Sequence, residues 1–147
     1  AYNKTLSLAQ KAAKEYQKTR NKKHTQLLNN LNSNLKNYTI EESDKTILEI
    51  LRECTVVNLF NEADINNLGY DYIINYKKPN IAESILRANT ILYQNSANAF
   101  DSYGEVLMIN GDLNASIKNH QKAVALAVKN KNKNLNLFQE NLDRLKK

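Results

Sequence analysis

Leu68-Gly69-Tyr70-Asp71-Tyr72 and Tyr103-Gly104-Glu105-Val106-Leu107 are the two stretches that decide the fold of this chain. Their glycines stand 35 residues apart, and each stretch opens a helix that runs to a turn and then to a second helix. The turns fall at residues 75–80, which include Pro79, and at Asn110-Gly111-Asp112. The second helices carry Ile81, Ile85, Ala88 and Leu92, then Leu113, Ile117, Val124 and Ala127, at helical spacing. Gly111 suits a left-handed helix end, and Asp112 suits the N-cap of the helix that follows.

Upstream, Leu6, Ala9, Ala13 and Tyr16 form a helical stripe. The polar run from Asn21 to His24 predicts a break, and Leu28, Leu31, Leu35 and Tyr38 resume the pattern. Thr39-Ile-Glu-Glu42 fits a capping box and predicts a strong helix with Ile47, Ile50, Leu51, Cys54 and Val57 on its apolar face. Downstream, Leu135, Phe138, Leu142 and Leu145 are spaced 3, 4, 3, with Gln139, Asn141, Asp143 and Arg144 opposite. That stripe predicts a capping helix over the open end of the last pair, reached through the exposed run Lys129-Asn-Lys-Asn-Lys133. Only three Gly and one Pro interrupt 147 residues, and no segment alternates as a strand. The fold class is therefore all-α, built from antiparallel helix pairs. Residues 1–60 are expected to pack as N-terminal helices on residues 61–147, which hold the two pairs and the cap, within one structural domain.

The paired stretches resemble the tetratricopeptide repeat, whose period is 34 residues and whose pairs stack into an alpha-alpha superhelix. Gly69 and Gly104 match its close-approach glycine, with Leu68 and Tyr103 before them; Tyr72 and Leu107 match its large residue. Ala82 and Ser116 match the small residue of the second helix, and Ala123 a later one. The chain departs from the pattern at an extra residue near Pro79, at Asn89 in place of a small Ala, and at Gln94 and Val128, where the family has Pro. The segments Ile65-Asn-Asn-Leu-Gly-Tyr70, Tyr93-Gln-Asn-Ser-Ala-Asn-Ala-Phe-Asp-Ser-Tyr-Gly-Glu105, Asn110-Gly-Asp112 and Phe138-Gln-Glu-Asn-Leu-Asp-Arg-Leu145 are also similar to the C-terminal helical extension of some bacterial serine hydrolases, both beta-lactamase-like enzymes and alpha/beta-hydrolase esterases. That similarity implies a helical accessory domain on a catalytic domain lying upstream.

The net charge of +6 is unevenly laid out: about +7 over residues 1–36, −7 over the middle and +6 over residues 118–147. The basic ends read as solvated helix faces; Tyr16 and Tyr38 interleave with them, but no nucleic-acid motif frames them, so nucleic acid is not the expected partner. Cys54, the one cysteine, reads as a small core residue. No apolar run reaches the length of a membrane span, and no secretory stretch opens the chain, which predicts a soluble protein, cytoplasmic or exported after signal removal. The start at Ala1 reads as a processed or excised piece.

No nucleophile elbow, metal-ligand spacing or phosphate-cradling loop is present, so no catalytic residue, metal or cofactor is expected. His120 reads as an aromatic packing residue, and Asp101 with Glu105 as a solvated acidic patch. The sequons at Asn3, Asn37 and Asn114 carry little weight in a chain this rich in Asn. The expected function is a non-catalytic interaction module for a protein, a peptide or an upstream catalytic domain. In the repeats it resembles, the first helix of each pair lines the concave face. That mapping names Asn66, Tyr70, Ile73 and Ile74, then Asp101, Ser102, Glu105, Met108 and Ile109, as binding candidates.

Overall fold

The structure, a computed structural model, describes residues 8–147, and the side chains of all of these except 40–42. Among the described residues there are seven α-helices and no strand. They are α1 (Leu8–Lys36), α2 (Ile40–Val56), α3 (Glu62–Ile74), α4 (Pro79–Leu92), α5 (Ala97–Ile109), α6 (Leu113–Lys129) and α7 (Leu135–Lys146). Antiparallel neighbours pack in order: α1 on α2, α3 on α4, α4 on α5, α5 on α6 and α6 on α7. The first pair joins the rest mainly through α2 against α4, and α3 also touches α5. No helix among the described residues is long and apolar enough to cross a membrane.

Side-chain caps set where the helices begin. Asn61 and Asp64 close a reciprocal capping box, with each backbone N–H donating to the other's side chain at 2.9 Å, so α3 starts seven residues before Gly69. Ser96 caps α5 by accepting from Ala99 N–H, and Asp112 caps α6 by accepting from Ala115 N–H, each at 3.1 Å. Gly69 and Gly104 therefore lie inside α3 and α5, and their stretches do not open those helices as the sequence led us to expect. Left-handed residues end three helices: Asn58 after α2, Gly111 after α5 and Lys131 after α6, with φ of 57°, 87° and 52°. Behind each, an amide reaches five residues back: Leu59 to Cys54, Asp112 to Leu107 and Asn132 to Ala127, at 2.8–2.9 Å.

Two local expectations are corrected. The expected break at Asn21–His24 is absent, and α1 runs through it unbroken. That run holds neither Gly nor Pro, and Thr25 Oγ bonds the Asn21 carbonyl without opening the helix. The Thr39 side chain does not cap α2; instead its backbone N–H donates to Ser43 Oγ at 3.0 Å. The Glu42 side chain of that box, Leu6 of the first stripe and the Asn3 sequon lie outside the described residues.

The larger core joins Leu27, Leu31 and Leu35 of α1, Ile47, Leu51 and Cys54 of α2, Ile65 of α3, and Ile81 and Ile85 of α4. Burial pushes the Cys54 thiol up to about 11 from 9.0, as a small core residue requires. The second core seats Phe138 of α7 on Ala97, Leu126 and Ala127, with Leu142 buried beside it, so the C-terminal stripe does cover the last pair. Between them, the helix pairs close on their glycines. A Cβ at Gly69 would stand 2.4 Å from Leu86 Cδ2 and 2.5 Å from its Cγ; one at Gly104 would stand 2.7 Å from His120 Cδ2. Ala82 and Ala123 are fully buried, and Ser116, equally buried, donates to the Gly104 carbonyl at 2.6 Å. Leu107 is buried, while Leu68, Tyr72 and Tyr103 are half-buried against the cores.

Polar contacts pin the first pair to the rest. Asp44 of α2 accepts from Ser84 and from Arg87 of α4, and from the Tyr38 hydroxyl at 3.4 Å. Arg87 Nε donates onward to the Tyr103 hydroxyl of α5 at 3.0 Å. One guanidinium thus spans three helices.

Gly69→Val and Gly104→Val are each expected to lose about 2 kcal/mol or more through overpacking, read as a lowered denaturant midpoint. Unchanged midpoints would show that the helix pairs can part at no cost. Phe138→Ala should lose about 3 kcal/mol, and truncation after Lys131 should yield a markedly less stable or aggregating chain. A melting temperature unmoved by the truncation would show that α7 does not hold the second core together.

Candidate functional site

Helix α5 lies between α3 and α7 and is tied to both by side chains. On one flank the Tyr70 hydroxyl of α3 donates to Glu105 Oε2 at 2.5 Å and lies 3.4 Å from Ser102 Oγ. Burial first, and then the hydrogen bond to the Glu105 carboxylate, holds the Tyr70 hydroxyl well above the ordinary phenol range. On the other flank Asn141 Nδ2 of α7 donates to both carboxylate oxygens of Asp101, at 3.1 and 3.2 Å. Arg144 Nη2 in turn donates to Asn141 Oδ1 at 3.2 Å. A polar seam therefore crosses all three helices, from Tyr70 through Glu105 and Asp101 to Asn141.

The sequence-derived candidates divide on this face. Ile74 is 64% exposed, Ile109 45% and Met108 37%. Tyr70 and Glu105 are half-buried and remain accessible beside them. Ser102 is buried, and Ile73 packs against the Ala82, Leu86 and Val106 core, so these two serve the fold. Asp101 is also buried, at 7% exposure, so it and Glu105 do not form the solvated acidic patch read from their spacing. Asp101 turns towards α6 and α7, whereas Glu105 turns towards α3.

What the sequence reading missed is the partner of Asp101. His120 Nδ1 of α6 donates to Asp101 Oδ1 at 2.9 Å, inside the pair. The histidine is an aromatic packing residue as expected, its ring edge lying on Gly104, but it is hydrogen-bonded as well. A buried His–Asp contact invites a catalytic reading. Here the ring is 3% exposed, and no hydroxyl or thiol among the described residues hydrogen-bonds its other nitrogen. No group of three or more His, Cys, Asp or Glu among the described residues could hold a metal.

The first pair of this region has the same positions filled differently. Asn66 stands where Asp101 does, three residues before the glycine, and Leu86 lies on Gly69 as His120 lies on Gly104. Leucine offers no donor, and Asn66 Oδ1 is buried without a hydrogen-bond partner. Asn89, at the position of Ala123, is fully buried too; its amide donates to the Glu62 carbonyl at 3.2 Å while its oxygen stays unpaired.

Asp101→Ala should lose about 3 kcal/mol, because the buried His120 donor and the half-buried Asn141 donor are left unpaired. Asp101→Asn with His120→Leu, which copies the first pair into the second, should recover a good part of that loss in denaturant unfolding. A double variant no better than Asp101→Ala would refute the equivalence of the two positions. Comparisons of this chain with family models, with curated proteins and with solved structures return no match.

Proposed function

We propose that this chain is a non-catalytic interaction module which takes a basic, partly apolar segment of protein across the face formed by α3 and α5. The observation that carries the reading is the composition of that face. Asp71 and Glu105 stand on it, and the two helices hold no Lys or Arg, in a chain of net charge +6. Beside these acids, Ile74 and Ile109 stay exposed at corresponding places of the two helices, with Met108 next to the second. Acids set around apolar anchors select cations that carry a hydrophobic neighbour, and they speed the encounter. Met108 adapts its shape to whatever apolar group arrives.

The arrangement supports a tetratricopeptide-like assignment at its centre. The glycine contacts recur at a repeat spacing, and α3 and α5 lie side by side as the first helices of successive pairs. The docking of α2 on α4 is a departure at the N-terminal side. The burial of His120 and the absence of a bonded nucleophile support the non-catalytic part of the reading.

Binding of fluorescent peptides that alternate Lys or Arg with Leu or Phe tests the proposal by anisotropy. Glu105→Gln removes one charge and keeps an acceptor for Tyr70. It should weaken binding about tenfold, or about 1.4 kcal/mol. Ile109→Ser should weaken it without altering its salt dependence. Equal binding by both variants and the parent would place the partner elsewhere.

A further inference from the structure

We infer that the basic segment this face accepts is the first half of α1 from a second copy of the chain, so that copies join head to tail. The inference rests on the reading of the α3–α5 face given above and adds the identity of its partner.

Every residue of α1 from Leu8 to Thr19 is exposed, whereas Leu27, Leu31 and Leu35 of the same helix are buried. The reason is length. Helix α1 has 29 residues and α2 only 17, and α2 ends beside His24, whose ring nitrogen donates to the Val57 carbonyl at 3.0 Å. The part of α1 beyond that point has little of α2 beside it. Its amphipathic pattern nevertheless continues. Ala9, Ala13 and Tyr16 extend the line of the buried leucines, with Tyr16 70% exposed. Lys11, Lys14, Lys18 and Lys22 form a stripe on the opposite side of the helix, and that basic side is the one offered to a partner. From Leu8 to His24 the helix holds six Lys or Arg against Glu15 alone.

This arm matches the face in charge, in size and in chemistry. Twelve residues of helix extend about 18 Å, and the 13 residues of α3 or α5 extend about 20 Å. The lysine stripe answers Asp71 and Glu105, and the aliphatic stems of those lysines supply apolar surface for Ile74, Met108 and Ile109. Two α1 arms laid on each other would set like charges together, which disfavours a symmetric α1–α1 dimer. An arm and a face at different places on one chain make a heterologous contact, and such contacts build open chains or rings. Salt should dissolve the assembly, because its cations are exposed.

Sedimentation velocity of the full chain tests this with two variants that change exposed residues only. Lys14→Glu with Lys18→Glu disables the arm and leaves the face; Asp71→Lys with Ile109→Lys disables the face and leaves the arm. The parent should form species larger than a dimer at low salt and a monomer at high salt. Each double variant alone should be monomeric, and an equal mixture of the two should stop at a dimer, since only one arm and one face remain competent. A parent that is monomeric at every concentration and salt overturns the inference. So does a mixture that stays monomeric, or salt-dependent retention on DNA that the lysine variant loses while the parent never self-associates. The labelled Asp71→Lys, Ile109→Lys chain, which keeps a folded arm, added to the lysine double variant, separates the two levels of the claim. If it fails to bind while an unrelated basic–apolar peptide binds, the second copy is wrong and the face is right; if neither binds, both are wrong.

Discussion

Two close approaches, at Gly69 and at Gly104, govern the C-terminal two-thirds of this molecule. At each, the space a Cβ would need is filled by a buried side chain from the opposing helix: Leu86 in one pair and the His120 ring in the other. Helix association at such short range needs a residue without a side chain on one partner and a shaped, rigid residue on the other. A glycine inside a helix is disfavoured by about 1 kcal/mol relative to alanine, and the packing gained by the close contact offsets it. With α3 held to α4 and α5 to α6 in this way, the α4–α5 and α6–α7 contacts follow from short connections and leave α3, α5 and α7 in a row.

The two pairs solve one problem with different chemistry. Leu86 makes its contact purely apolar and strands the Asn66 oxygen. His120 makes the same contact and gives Asp101 a donor, which Asn141 then shares from α7. The polar solution links three helices where the apolar one links two, so the C-terminal cap is specified by direction as well as by burial. Asp44 and Arg87 do comparable work at the other end, where α2 meets α4 and the guanidinium continues to Tyr103 of α5.

How much of this a reader of the sequence can see depends on how local the cause is. Gly111, Asp112 and the stripe Leu135, Phe138, Leu142, Leu145 act through their own neighbours in the chain, and the structure has them as read. The start of α3 is equally local, in Asn61 and Asp64, but the repeat signal at Leu68-Gly69 draws attention past it. The left-handed Asn58 and Lys131 are hidden because neither demands that conformation; the closing hydrogen bonds of the helix ends impose it. The His120–Asp101 bond joins residues 19 apart on two helices, and nothing near either residue announces it. The docking of α2 on α4 puts Ile47, Leu51 and Cys54 in one core with Ile81 and Ile85 and is edged by the Asp44, Ser84 and Arg87 contacts, which become visible only once the helices are placed. Helical spacing sets Tyr70 beside Ile74, and Glu105 beside Met108 and Ile109, and these five keep exposed or half-buried surface. It fails for Asp101, because four-residue spacing says which side of a helix a carboxylate leaves from and not what it reaches.

The same contacts that shape the fold bear on how a partner would be met. Glu105 is held by the Tyr70 hydroxyl, so the carboxylate that α5 offers to a partner is already oriented. A surface fixed in advance loses little side-chain freedom on binding, and the ordering penalty falls on the incoming segment. A helix that is already formed, such as the exposed half of α1, carries a smaller penalty of this kind than a disordered peptide of equal charge. Rigidity on the acidic face and a pre-formed basic helix are therefore complementary in entropy as well as in charge. The exposed apolar groups Ile74, Met108 and Ile109, met by the aliphatic stems of the lysine stripe, are what would turn that long-range attraction into a fixed register.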